Sequence, residues 1–95
     1  GEPPPVILTM MARQFRLLLQ GKELVERGAK VSQIAGELKI PPFVAKKIMA
    51  QSANFTSERL EDILRRLLEM DAAIKAGGRD FYPAFEDFVI SLLAG

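Results

Sequence analysis

The chain contains no histidine and no cysteine. The side chains that most often move protons near neutral pH, attack as thiolates or bind zinc are therefore missing. Carboxylates remain, and they alone can hold a hard cation such as Mg²⁺. No aspartate cluster with such spacing occurs in the sequence, which implies no metal, no cofactor and no catalytic residue. Asp71 is the acid that stands out, because it falls near the middle of an apolar helical stripe of Leu60, Ile63, Leu64, Leu67 and Ile74. A carboxylate there needs a cationic partner or an edge position. Lys75, four residues on, is the nearest partner, with Arg13 or Arg16 as alternatives if the first helix packs alongside. Lacking a second titratable group, Asp71 reads as half of a structural ion pair with Lys75 rather than as a general base. An enzyme is not expected in this chain.

Phosphate recognition is the other chemistry these residue types allow. Net charge is +1, but from Arg13 to Lys47 eight bases face three acids, and from Ile48 onward five bases face eight acids. The basic half gives a modest pull on polyanions, and the two halves could also favour contact between like domains. Within it, "SQIAGELKIPPFVAKKIMAQ", residues 32–51, resembles a helix-turn-helix. Ile34, Ala35, Leu38, Ile40 and Ile48 fit its inward positions. The turn does not fit, since Lys39 stands where a small residue is expected and Pro41-Pro42 follows. The would-be reading positions, Pro42, Phe43, Val44 and Ala45, cannot make bidentate contacts with bases. Lys46 and Lys47, with Arg13 and Arg16, suit phosphate better than base edges. The residues therefore allow a nucleic-acid-binding helical domain centred on Arg13–Lys47, but not sequence-specific DNA reading. Single-strand binding usually adds stacked aromatics. Phe43 and Phe55 are placed for packing, and Tyr82 is the sole tyrosine, near the start of the last helix.

These residues must be carried by helices, because no period-2 alternation long enough for a strand is present. Five helices are predicted. The first runs from about Pro5 to Arg27, with Gly28 as its left-handed cap and Gly21 marking a kink or a close helix approach. The second starts at an N-cap Ser32 and stops near Lys39. The third starts at Pro41-Pro42 and ends near Asn54. The fourth has Thr56 as N-cap, a Phe55–Leu60 hydrophobic staple, and an end at Gly77-Gly78. The fifth is capped by Asp80, carries Pro83 in its first turn and runs to the chain end. Residues 1–5, "GEPPP", read as a linker, residues 6–95 as one all-α domain, and the whole as a piece of a longer protein. No apolar run approaches the roughly 18 residues of a membrane span, and the lack of cysteine fits a reducing, cytoplasmic setting.

The first helix is apolar on two sides. Leu8, Met11, Ala12, Phe15, Leu18 and Leu19 share one face, whereas Val6, Met10, Leu17 and Leu24 line the opposite one. One stripe suffices to pack a helix on a bundle. Two stripes require either sister helices on both sides or a partner chain, because a monomer should not leave such a patch open.

Three stretches in order, "MMARQFRLLL", "IAGELKIPPFVAKK" and "MDAAIKAG", resemble the C-terminal domain of the delta subunit of bacterial DNA polymerase III, part of the sliding-clamp loader. The likeness extends from about Ile7 to Leu93. It implies a five-helix, collar-like bundle that docks on other loader subunits (gamma or tau, and delta-prime) so that the assembled complex loads the clamp during DNA replication. It also implies that contact with the sliding clamp belongs to parts of the parent outside this chain, and that ATP-driven clamp loading is an activity of the intact assembly. No Gly-Lys-Ser/Thr phosphate loop is present here. The parent would be a subunit of a DNA-directed DNA polymerase holoenzyme. Under this resemblance Phe43, Val44 and Ile48 pack within the bundle, Val6, Met10, Leu17 and Leu24 become candidates for the subunit interface, and Arg13, Arg16, Lys46 and Lys47 for contact with template DNA.

Overall fold

The computed structural model describes residues 4–94 as five helices: α1 Pro4–Glu26, α2 Val31–Leu38, α3 Pro42–Ser52, α4 Ser57–Lys75 and α5 Phe81–Leu93. No strand occurs among the described residues. Of the expected linker, residues 1–3 lie outside the described residues, while Pro4 and Pro5 already form the first turn of α1, where proline costs nothing in lost hydrogen bonds.

Local chemistry sets most helix ends. Gly28, at φ 84°, closes α1 with the paired bonds Gly28 N–H to Val25 O, 2.9 Å, and Ala29 N–H to Leu24 O, 3.0 Å. Thr56 Oγ1 accepts the Arg59 N–H at 3.0 Å and opens α4. Phe55 packs against the cluster containing Leu60, as a staple requires. Two caps differ from expectation. α2 starts at Val31 with Lys30 as its N-cap, not Ser32, because Val31 is drawn onto the Ile34–Ala35–Ala45 cluster. Gln33 Oε1 then accepts the Lys30 N–H at 2.8 Å. Asp80 occupies the N-cap of α5, but its carboxylate makes no capping bond. α3 also stops earlier than expected, at Ser52, whose buried hydroxyl donates to Met49 O at 3.0 Å.

The helix-turn-helix segment folds as a helix pair with an unusual corner. Lys39 caps α2 at φ 56°, ψ 47°, a left-handed conformation that costs a non-glycine residue roughly 1–2 kcal/mol. The strain is held by Ile40, whose N–H reaches Ala35 O at 3.0 Å while its side chain joins the core. Pro41 and Pro42 then start α3.

α1 is the spine of a body measuring 42 × 26 × 20 Å. Its N-terminal half packs on α4 and α5 through a core of Leu8, Ile63, Leu67, Met70, Ala84 and Phe88. Its C-terminal half packs on α3 and α2, where Ile34, Ala35 and Ala45 are sealed beneath Leu24, Leu38 and Ile40. Leu18, Ile48 and Leu60 join the two at mid-length, beside the edge-to-face pair of Phe15 and Phe55, 6.2 Å apart. Each fully buried leucine or isoleucine contributes about 1.5–3 kcal/mol. At Gly21 the Ile48 side chain of α3 comes so close to α1 that an added Cβ would lie 2.6 Å from Ile48 Cγ2. The glycine therefore serves close helix approach.

Candidate docking and nucleic-acid surfaces

The second stripe of α1 is divided by the helix beside it. Leu17 packs against the Leu18–Ile48–Leu60 cluster and Leu24 against the α2–α3 cluster, so both are largely occupied within the chain. Met10 is 58% exposed and Val6 40%. The reason is length. α3 ends at Ser52, and next to that end Gln51 Oε1 accepts a 3.0 Å bond from Gln14 Nε2 of α1. N-terminal to Gln14, that side of α1 has no neighbour to cover Met10 and Val6.

Bare apolar side chains are found on the neighbouring helices as well. Among the described residues, six of the eight large apolar side chains that are exposed lie on the N-terminal half of α1, on α4 or on α5: Val6, Met10, Leu68, Tyr82, Ile90 and Leu93. α5 is held to the core by Ala84 and Phe88 and turns Tyr82, Ile90 and Leu93 outward. Reasoning from the sequence does not single out these outward residues of α4 and α5 as site residues. A signal exists, since Ile90 and Leu93 fall off the helical line that joins Ala84 to Phe88. Beside α1, Leu19, Leu64, Leu68 and Ala72 line an open groove of about 480 Å³.

Charge is partitioned the other way. Every base from Arg59 onward is paired. Asp62 gathers Arg59 at 3.9 Å, Arg65 at 2.5 Å and Arg66 at 3.0 Å, and Arg65 also meets Glu69 at 2.9 Å. Hydrogen bonding to Glu69, and then to Asp62, raises the Arg65 pKa above its ordinary value. Arg66 also donates to Ser91 Oγ and Arg59 to Leu92 O, which ties α5 to α4. Lys75 sits 2.8 Å from Asp71 and Arg79 2.9 Å from Asp87. Asp71 Oδ1 is buried without a hydrogen-bond partner, and neither Arg13 nor Arg16 reaches that carboxylate. By contrast, none of the eight bases from Arg13 to Lys47 makes an ion pair among the described residues.

Arg13 and Arg16 lie exposed on α1, and Lys46 and Lys47 exposed on α3. The Gln14–Gln51 bond links the residue after Arg13 to the α3 face that carries Lys47 one turn earlier. Phe43 corrects the expectation that it packs: it is 65% exposed at the start of α3, with Lys47 Nζ 6.0 Å from its ring centroid. Ile48 is buried and Val44 half-buried, as packing requires. Phe43 escapes because, at about 100° per residue, it falls on the side of α3 away from the buried Ala45 and Ile48. Among the described residues no group of three or more carboxylates is placed to hold a metal, and no helix is long and apolar enough to cross a membrane. The surfaces on offer are an apolar one and a basic one.

Comparison with known proteins gives three concordant matches. Residues 1–92 match the family model described as DNA polymerase III delta subunit, C-terminal domain. The chain is 39% identical over 93 residues to DNA polymerase III subunit delta of Bacillus subtilis (strain 168), which takes in 98% of this chain and 27% of that protein. The solved structure of the Bacillus subtilis DNA clamp loader delta protein superposes with a TM-score of 0.95 at 38% identity, covering 100% of this chain and 28% of that one. The chain thus spans about a quarter of the length of these relatives.

Proposed function

The chain belongs to the family formed by the C-terminal domains of DNA polymerase III delta subunits, and from that premise we propose that it is an oligomerisation module that docks on other clamp-loader subunits. The observation that carries this reading is the uncovered apolar side chains on two helices, Val6 and Met10 on α1 and Tyr82, Ile90 and Leu93 on α5. Such a surface marks an interaction site more often than idle exposure. On this reading Leu17 and Leu24 serve the chain's own core instead of touching the partner. The partners would be gamma (or tau) and delta-prime, in the cytoplasm. Clamp contact would belong to the rest of the parent chain, and ATP-driven loading to the intact assembly. The domain adds no chemistry of its own to the polymerase holoenzyme.

The test is reconstitution from purified subunits, read by co-elution on gel filtration. The wild-type chain is expected to join gamma and delta-prime, and a Met10→Glu, Ile90→Glu double variant is expected to be excluded while keeping its helical circular dichroism. Undiminished co-elution of that variant removes the interface assignment.

A second reading, contact with template DNA through Arg13, Arg16, Lys46 and Lys47, is favoured by the eight unpaired bases and by the bare Phe43 ring beside Lys47. It makes affinity steeply salt-dependent, and Lys46→Ala with Lys47→Ala should lower the log–log salt slope by about 2. Fluorescence anisotropy that detects no DNA binding at low salt dismisses it.

A further inference from the structure

On a different flank of α4 from the one that meets α5, Leu64, Leu68 and Ala72 recur every fourth residue and face Leu19 of α1 across the open groove. The groove is lined almost wholly by hydrocarbon, and Leu68 in it is 43% exposed. From Glu61 to Ala72 the groove extends about 16 Å, or three helical turns, the span over which a bound helix presents anchors at i, i+4 and i+7. It is open along its length, unlike small-molecule pockets, which enclose most of their ligand.

Its polar rim is acidic. Arg65 lines the groove, but its guanidinium is already engaged by Asp62 and Glu69. Glu61 is exposed and has no cation partner among the described residues. One base against two acids, Glu61 and Glu69, leaves the lining at net −1. We propose that this groove seats an amphipathic helix of another loader subunit whose apolar stripe is flanked by lysine or arginine. The proposal rests on the assembly reading above and adds the chemistry of what is bound. The α5 helix of a second copy of this chain is a poor occupant: its bare stripe is accompanied by Glu86 and Asp87, which would meet Glu61 and Glu69 with like charge.

The experiment places the photo-crosslinker p-benzoylphenylalanine at Leu68 and, in a separate chain, the substitution Glu61→Lys. Each is assembled with purified gamma and delta-prime. Mass spectrometry of the irradiated complex is expected to find residue 68 joined to a helical partner segment with Lys or Arg beside its apolar stripe. Glu61→Lys is expected to weaken assembly about tenfold at low salt, a loss that fades as salt rises. If the Leu68 variant fails to assemble yet keeps its helical circular dichroism, while the unmodified chain assembles, the groove is likewise supported. A crosslink to an acid-flanked segment, to a second copy of this chain, or to nothing in a fully formed complex overturns the groove proposal and leaves the assembly reading standing. Failure of the unmodified chain to assemble takes both down.

Discussion

The α2–α3 end and the α4–α5 end of the fold solve opposite problems. Around α2 and α3 most apolar side chains are covered, with Leu24 packed, Ile34 sealed and Phe43 the exception, while the surface bases make no ion pair among the described residues. From α4 onward every base is matched by Asp62, Glu69, Asp71 or Asp87, yet Leu68, Ile90 and Leu93 lie bare. A surface with neutralised charge and exposed hydrocarbon suits burial against protein. A surface with covered hydrocarbon and free cations suits a polyanion. The contrast argues for two kinds of partner on one small fold, assigned to opposite ends.

The largest expected effect comes from breaking the joint between these ends. Leu60 is fully buried between Leu18 and Ile48, so Leu60→Ala should cost about 2–5 kcal/mol by urea denaturation. A single shared transition is expected; two separated transitions would show that the ends are independent folding units. Gly21→Ala should follow, at about 1–3 kcal/mol, since its methyl would strike Ile48 Cγ2. Ile48→Ala in the same chain should recover part of that loss, and strict additivity would refute the steric cause. Thr56→Ala, which removes the α4 cap, should cost about 1 kcal/mol. Smallest of all, Lys46→Ala with Lys47→Ala should change stability by no more than about 0.5 kcal/mol, as exposed sites do. A larger loss would mean these lysines hold the fold together and are not free for a ligand.

What can be read in advance is what neighbouring residues decide. Gly28 and Thr56 fix helix ends through their own backbone and hydroxyl, and Asp71 finds Lys75 because four residues make one turn. The double stripe of α1 is legible as a pattern, but its division is not, because cover over Leu17 and its absence over Met10 depend on where a different helix stops. Ser32 loses the α2 cap to Lys30 for a similar reason: burial of Val31 outweighs a favourable capping residue. Phe43, an aromatic beside apolar neighbours, has the composition of a core residue, but its place on α3 opposite Ala45 and Ile48 sets it outside.

A single unbroken helix belongs to both ends, and that gives it leverage. The 23 residues of α1 make a rod about 34 Å long. A neighbour that grips the Met10 end and tilts it by about 5° swings the far end by about 3 Å, on the helical geometry alone. Whatever rests on Lys46 and Lys47 would be displaced accordingly, so the domain can relay the posture of one partner to the other without unfolding a turn.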